Sequence, residues 1–224
     1  MAGMQKLEEF LKGRIRKGSA LWKFFSFLHN LPIRILLYIR RNIFKSSIFS
    51  FEHELTMASL FPKKIIDKVI TIENPRRVLD LGCGVGKSLD YFFSKGIEVF
   101  GVEGSWAAIE SAKNKQFIMR HNLSKELRLN RKFDLIWSFE FVEHIHPKFV
   151  NNLMRTFSNH SDKVIISAAR PGQGGEGHFN EKPPEYWINI FKEYGYKFIN
   201  DETDLLRDTD EMCSKNMLVF KREP

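Results

Sequence analysis

The sequence predicts an α/β domain built on a mostly parallel β-sheet, with a basic helical arm ahead of it. From residue 54 onward, short apolar runs alternate with segments of helical periodicity, which is typical of βαβ units. A glycine-rich turn follows the first apolar run, at the place where a parallel sheet commonly binds its ligand. A change in charge balance near residue 54 predicts the arm over 1–53 and the domain over 54–224.

The elements of the domain follow in chain order. A leading helix over 60–72 is ended by Asn74-Pro75, because proline does not continue a helix. Apolar runs predict strands over 77–81, 98–102, 116–119, 133–139, 163–168, 196–199 and 217–221. Helical periodicity predicts helices over 87–94, 106–115, 147–159 and 184–194. The acidic segment between the last two strands is predicted as a loop.

The composition is that of a globular protein. Apolar residues make up 43% and charged residues 28% of the 224 residues, which suits one domain with an appendage. The two cysteines, Cys83 and Cys213, belong to no CxxC or Cys/His metal spacing. We therefore expect reduced thiols and a cytoplasmic compartment.

The positive charge is concentrated in the arm. Residues 1–50 contain ten Lys or Arg against two acids, whereas residues 51–224 contain 25 basic and 25 acidic residues. The net charge of +8 therefore describes the arm. A domain that handles RNA should carry a local surplus of Lys and Arg, so nucleic acid is disfavoured as a partner.

The arm interleaves basic residues with aromatic and aliphatic ones. Its uncharged stretches are too short for a membrane span, and no small-residue cleavage site follows an apolar run, so we expect neither a transmembrane helix nor a signal peptide. Three roles fit: a lid or dimerisation element, peripheral contact of residues 1–50 with an anionic membrane surface, or contact with a nucleic-acid backbone. The aliphatic residues at 33–39 disfavour nucleic acid, because bases gain little from them.

The spacing of the glycine turn distinguishes between ligand classes. Residues 80–86 have the sequence DLGCGVG, between a predicted strand and a predicted helix. A P-loop needs a glycine where the chain has Leu81, and a dinucleotide fingerprint needs one where it has Lys87. What remains is three glycines with an acid, Asp80, two residues before the first. Such glycines let a ligand approach backbone N–H groups at a helix N-terminus.

This pattern resembles the first motif of class I S-adenosylmethionine (SAM)-dependent methyltransferases. The resemblance implies a Rossmann-like, doubly wound sheet of seven strands with an antiparallel C-terminal strand. It also implies that the glycine loop lies under the amino-acid part of SAM and that Asp80 helps to hold the ammonium group. Residues 133–145, FDLIWSFEFVEHI, are similar to the segment that passes beside the reacting methyl group in many small-molecule members.

The second predicted strand supports a nucleoside ligand. It ends at Glu103, 17 residues after Gly86, where a carboxylate can accept hydrogen bonds from both ribose hydroxyls. The resemblance places Asn122 near the adenine, where the family more commonly has Asp. The predicted SAM-binding residues are Asp80, Gly82, Cys83, Gly84, Gly86, Glu103, Gly104, Asn122, Ser138 and Phe139.

Two histidines are candidates for a general base. His144 follows the fourth predicted strand, near the expected position of the methyl group; the alternative is that Glu143-His144 caps a helix or closes the pocket floor. His178 lies in a glycine-rich loop after the fifth strand, for which the alternative is a mobile surface loop, and we favour it as the base. Residues 178–180 and 185–187 resemble a subset of these enzymes that modify small metabolites or sugars. The predicted acceptor-binding residues are Glu140, Glu143, Asn180 and Tyr186.

The function that these residues predict is methyl transfer from SAM to an oxygen or nitrogen of a small-molecule acceptor, of the sugar or glycan-precursor class. Two alternatives stay open: a non-catalytic SAM-binding or scaffold subunit docked to a membrane or partner by its arm, and an RNA methyltransferase. Neither histidine has a familiar metal spacing with Cys or carboxylates, so we expect no obligatory metal.

Overall fold

A computed structural model describes residues 61–175 and 177–222. The predicted arm over 1–53, with its proposed membrane or partner contacts, lies outside the described residues, as does the start of the predicted domain. Within the described part of the chain, no helix is both long and apolar enough to cross a bilayer.

Seven strands of the described residues form one mixed sheet in the order β3-β2-β1-β4-β5-β7-β6. The strands β1 to β5 run parallel, while β7 is antiparallel to both β5 and β6. This arrangement confirms the doubly wound, mostly parallel fold. Their bounds are β1 Arg77–Leu81, β2 Glu98–Glu103, β3 Ile118–Arg120, β4 Leu135–Ser138, β5 Lys163–Ser167, β6 Tyr196–Phe198 and β7 Met217–Arg222.

Helices cover both faces of this sheet. Alternate residues of a strand point to opposite faces, so Leu79 and Ile136 join one apolar cluster while Val78 and Leu135 join the other. Strands buried on both sides are therefore continuous apolar runs, which is why the sequence predicts them well. The α-helices are α1 Lys63–Glu73, α2 Lys87–Ser94, α3 Trp106–Ser111, α4 Val150–His160, α5 Pro184–Glu193 and α6 Asn200–Arg207.

The acidic segment before β7 is not simply a loop, as predicted, because it contains helix α6. Asp201 and Glu202 lie in its first turn, where carboxylates interact favourably with the helix N-terminus. Only Thr203 and Leu206 of this helix are buried. Two buried positions in an acidic segment give too weak a helical pattern to predict this helix from the sequence.

Several predicted boundaries also move. The third helix ends at Ser111 rather than at 115, because Ala112 is extended, with φ −70° and ψ 137°. Strand β3 begins at Ile118 rather than at 116, because a 3-10 turn occupies Lys115–Phe117. The helix predicted from 147 begins as a 3-10 turn over Pro147–Phe149 and continues as α4. These changes leave the order of the elements unaltered.

The order of the strands locates the ligand site. The chain leaves β1 toward β2 on one side, and returns to add β4 on the other side of β1. In open α/β sheets, ligands bind outside the carboxyl ends of the strands at such a switch point. The glycine turn after β1 and the segment after β4 meet at this edge of the sheet.

Candidate active site

The glycine turn joins β1 to α2 in a left-handed backbone conformation. Gly82, Gly84 and Gly86 have φ values of +76°, +55° and +77°, which side-chain-bearing residues rarely adopt. Gly86 is the N-cap of α2, so the turn delivers the N-terminus of that helix to the carboxyl edge of the sheet. Backbone N–H groups at such an end are suited to a polar or anionic ligand group.

Gly82 also has no room for a side chain. A Cβ atom there would lie 2.2 Å from the ring of Phe141, in the segment after β4. Gly101 of β2 is similarly confined, because a Cβ atom would lie 2.9 Å from the Cys83 sulfur. The Cys83 side chain therefore packs against β2, and burial raises the pKa of its thiol well above the usual value. Any contact of Cys83 with a cofactor would come from its backbone.

Asp80 is a buried acid that lacks a compensating partner. Its side chain is at the end of β1, the residue is 3% exposed, and Oδ2 has no hydrogen-bond partner among the described residues. Burial, and secondly the charge of Glu103, raise its pKa to about 8. A buried carboxylate of this kind is stabilised by a cationic group. The ammonium group of SAM fits that requirement.

Glu103 is held at the end of β2 by two backbone amides. Its Oε2 accepts a hydrogen bond from Gly84 N at 2.9 Å and its Oε1 one from Ser105 N at 2.7 Å. These bonds orient the carboxylate at the end of β2, the position for which the sequence predicts contact with ribose hydroxyls. Glu103 thereby joins the glycine turn to the end of β2.

Asn122, the residue predicted near the adenine, follows β3, and Gly104 follows β2. Asn122 is exposed, and its Oδ1 accepts a hydrogen bond from Ser124 N at 3.0 Å, so its amide nitrogen is the group that can donate to a ligand. The carbonyl of Gly104 accepts from Arg120 Nε at 3.5 Å. The same guanidinium lies 5.7 Å from the ring centroid of Trp106, which is 58% exposed.

Ser138 and Phe139 make structural contacts at the end of β4. The Ser138 hydroxyl donates to the Leu81 carbonyl at 2.9 Å and is fully buried. The Phe139 ring stacks on Trp137, with centroids 5.7 Å apart. These contacts position the segment after β4, and the predicted contact of the two residues with SAM stays a prediction.

The two candidate histidines are brought together by the loop after β5. The backbone N–H groups of Phe179 and Asn180 each donate to the Glu143 carbonyl at 3.0 Å. His144 Nδ1 lies 3.1 Å from the Gly177 carbonyl oxygen. As a result the rings of His144 and His178 meet edge to face, with centroids 4.8 Å apart.

His178 has a carboxylate partner that the sequence analysis missed. Its Nδ1 lies 2.8 Å from Oε1 of Glu181, and the Gly172 backbone N–H donates to Oε2 of the same residue at 3.0 Å. The hydrogen bond from His178 is the main reason that the pKa of Glu181 is lowered. The only sequence trace of this pair is its spacing of three residues, which is too common to be diagnostic.

The predicted acceptor-binding residues fall into separate places. Glu140 has a φ of +47°, and its carboxylate accepts from Asn216 at 3.0 Å and from Gln173 at 3.1 Å, so it ties the loop to the start of β7. Tyr186 is half-buried on α5, where its ring lies 5.2 Å from that of Trp187.

Glu143 and Asn180, by contrast, lie beside the histidine pair. They are 0% and 1% exposed, and none of their side-chain oxygen or nitrogen atoms has a hydrogen-bond partner among the described residues. Burial, and secondly Glu140, raise the pKa of Glu143 well above its usual value.

A family comparison identifies the kind of domain that this fold belongs to. The model of a family described as "Methyltransferase domain" matches residues 56–169, just over half of the chain. The chain belongs to this methyltransferase family. The resemblance to class I SAM-dependent methyltransferases is thereby confirmed, and SAM is the cofactor. That SAM binds at the glycine turn stays a prediction.

Individual relatives are more distant. Tocopherol O-methyltransferase, chloroplastic, of Arabidopsis thaliana is 32% identical over 104 residues, which cover 41% of this chain and 30% of the relative. The match thus spans less than a third of that protein's length.

Solved methyltransferase structures share the fold. The magnesium protoporphyrin IX methyltransferase of Synechocystis PCC 6803, solved with bound SAH (S-adenosylhomocysteine), has 15% identity and a TM-score of 0.57, covering 86% of this chain and 100% of that one. A TehB-like SAM-dependent methyltransferase of Corynebacterium glutamicum has 18% identity and a TM-score of 0.57, covering 75% and 92%.

Proposed function

We propose that this methyltransferase transfers the methyl group of SAM to an oxygen or nitrogen of a small hydroxyl-bearing metabolite, of the sugar or glycan-precursor class. The observation that carries the proposal is the hydrogen bond between His178 and Glu181 beside the carboxyl ends of β4 and β5. It prepares an imidazole to receive a proton at the edge of the sheet where SAM binds.

The tautomer of His178 follows from its partner. A carboxylate can only accept a hydrogen bond, so Nδ1 of His178 carries the proton and Nε2 carries the lone pair. An acceptor group at Nε2 would lose its proton to this nitrogen, and Glu181 would stabilise the imidazolium that forms. The same division of labour between histidine and carboxylate occurs in hydrolase triads.

The reaction itself needs little else from the protein. The acceptor oxygen or nitrogen attacks the methyl carbon, the carbon–sulfur bond breaks, and the sulfur keeps the electron pair as the thioether of S-adenosylhomocysteine. The acceptor proton goes to His178. Alignment of the two reactants supplies much of the rate, and a general base typically adds about 10²–10⁴-fold.

Two further observations favour a small acceptor with a hydroxyl group. The His178 side chain is only 12% exposed and its Nε2 lies close to Gly175, so only a small acceptor group could reach this nitrogen. The Arabidopsis relative is named as an O-methyltransferase, which favours oxygen as the methylated atom. The balanced charge of residues 51–224 disfavours RNA.

The test is a search for methylated product by mass spectrometry. The full chain is incubated with methyl-labelled SAM and a panel of sugars, nucleotide sugars, phenols and amines. We expect His178→Gln to lower kcat by about 10²–10⁴-fold while the dissociation constant for SAM stays unchanged. His146→Gln is the matched control, because His146 caps the 3-10 turn before α4 and its ring packs near Phe149 and Phe179, but it is not part of the His178–Glu181 pair. Wild-type turnover by His178→Gln would refute the role of His178. SAM binding without any methylated product would favour the non-catalytic alternative.

We also propose that residues 1–50 bring the enzyme to an anionic membrane surface, as a cytoplasmic peripheral protein. The proposal is supported by their ten basic residues, interleaved with aromatic and aliphatic ones. Flotation of the full chain with vesicles of phosphatidylglycerol and phosphatidylcholine tests it. Binding that is strong at low salt and weak at high salt is expected, whereas equal recovery with neutral vesicles would contradict it.

A further inference from the structure

The strongest additional feature of the described residues is a cluster of metal-ligating groups around the histidine pair. One atom from each of Glu143, His144 and His178 lies within 4.8 Å of the other two. Nitrogen or oxygen ligands of a tetrahedral zinc ion, each about 2.0–2.1 Å from the metal, are about 3.4 Å apart. Side-chain adjustments of under about 1 Å would therefore bring these atoms into a common coordination shell.

The Glu143 carboxylate needs a cation if it is to be ionised. It is fully buried, and neither oxygen has a hydrogen-bond partner of acceptable geometry among the described residues. The nearby backbone amides of Glu143 and Ala169 offset only part of the cost of its burial. A buried charge without a partner is strongly unfavourable, so this carboxylate requires either a proton or a cation.

Both histidines are oriented as metal ligands usually are. His144 Nδ1 donates to the Gly177 carbonyl and His178 Nδ1 donates to Glu181. Metal-ligating histidines commonly donate one ring N–H to a carbonyl or carboxylate, which fixes the tautomer and leaves the lone pair on the other nitrogen. The loop is itself fixed to Glu143, whose carbonyl accepts from two of its backbone N–H groups.

We infer that Glu143, His144 and His178 bind one divalent transition-metal cation. Two imidazoles and one carboxylate form a ligand set that suits Zn²⁺, Co²⁺, Mn²⁺ or Fe²⁺. Mg²⁺ prefers ligand sets made of oxygen atoms alone, so this set suits it less well. Three protein ligands leave coordination positions for an acceptor molecule. Sequence spacing does not indicate this set, because His178 is brought to the other two residues only by the loop after β5.

The cation would change how the acceptor is activated, and this consequence rests on the proposed function. A hydroxyl oxygen bound to the ion would have a lower pKa, so it would lose its proton to solvent and attack the methyl carbon as an alkoxide. In the metal-loaded enzyme Nε2 of His178 would then be a ligand, and the ion would replace it as the group that activates the acceptor. The site would thus favour acceptors with an oxygen that reaches the ion, such as a sugar hydroxyl.

The direct test is binding of Co²⁺ to the chelator-treated, dialysed full chain, followed by its visible d–d absorption. We expect one Co²⁺ per chain, displaced by Zn²⁺ but not by the same concentration of Mg²⁺. Glu143→Gln and His178→Gln should each lower the affinity at least about 100-fold. Glu181→Gln should lower it about 10–100-fold, because Glu181 would not bind the ion itself and acts on it by orienting His178. His146→Gln is the matched control and should bind like the wild type. Since Glu143→Gln leaves a buried amide and risks misfolding, His178→Gln on the loop gives an independent test.

Binding and activity distinguish this inference from the proposed function. No Co²⁺ spectrum in the wild type, or an unchanged one in His178→Gln, would overturn the metal site even if methyl transfer is found. A site-dependent spectrum without any methylated product would support the metal site while the proposed function fails. If both hold, chelated enzyme should transfer methyl groups at least about 100-fold more slowly and recover when Co²⁺ or Zn²⁺ is restored.

Discussion

Asp80 should release a proton when SAM binds to this methyltransferase. The free protein buries this carboxyl beside Glu103, and burial is the main cause that raises its pKa to about 8. The ammonium group of SAM favours the charged carboxylate, so the cofactor should return the pKa of Asp80 toward the ordinary value of about 4. The difference appears as proton release in the pH range between these two values.

The amount released follows from the raised pKa. With a pKa of about 8, roughly 90% of Asp80 is protonated at pH 7, about half at pH 8 and about 10% at pH 9. We therefore expect a net release of about 0.7–0.8 protons per SAM at pH 7, because the α-amino group of SAM, with a pKa of about 8, takes up about 0.1–0.2 when it binds as the ammonium. Above pH 8 the same group should turn the net release into uptake. The apparent affinity for SAM should therefore rise between about pH 4 and pH 7 and fall above pH 8.

Isothermal titration calorimetry in buffers of different ionisation enthalpy measures this number. Phosphate and Tris at the same pH give binding heats that differ in proportion to the protons released. Asp80→Asn should abolish the release. Asp90→Asn, a matched carboxamide change on α2, should preserve it. A binding heat independent of the buffer at pH 7, or proton release that does not fall toward pH 9, would refute this account of Asp80.

Three further outcomes concern stability, each measured by urea unfolding. Because the pKa of Asp80 is raised in the folded state, the free energy of unfolding should fall as the pH rises from about 4 to about 8. The fall should be roughly 1.4 kcal/mol per pH unit steeper in the wild type than in Asp80→Asn. Equal slopes in the two proteins would contradict this. Gly82→Ala meets Phe141 and should cost about 1–3 kcal/mol more than Gly96→Ala, which has a similar φ but open space. Lys163→Met removes the cation that pairs with the carboxylates of Glu73 in α1 and Glu202 in α6, and it should lower the free energy of unfolding by about 3–5 kcal/mol. A loss of under about 1 kcal/mol would show that these ion pairs are dispensable.

The sheet and the cofactor turn could be predicted because their physical causes are local. Strands buried on both faces are apolar at consecutive positions, as at 135–137 in β4 and 164–166 in β5. The glycine turn needs positive φ at three positions, and only glycine adopts that conformation without strain. Asp80 and Glu103 could be predicted as site residues because each is an acid near the carboxyl end of a predicted strand, β1 and β2 respectively.

The acceptor side could be predicted only in part, because long-range contacts create it. The sequence singles out His144 and His178 separately, but their meeting depends on two hydrogen bonds to the Glu143 carbonyl. The role of Glu181 depends on the folding of the same loop. Backbone bonds of this kind leave no periodic pattern in the sequence. Helix α6 was missed for a different reason, since only two of its residues are buried.

The most direct test of the central claim is thermal unfolding of the full chain with SAM, S-adenosylhomocysteine or NAD, each added separately. A ligand at 100 times its dissociation constant stabilises the folded state by about 2.7 kcal/mol. For a chain of this size that corresponds to a rise in Tm of roughly 5–11 °C. We predict such a rise with SAM and with S-adenosylhomocysteine, none with NAD, and its loss in Glu103→Ala. No rise with either sulfur compound, or a rise with NAD alone, would contradict the assignment of the glycine turn to SAM.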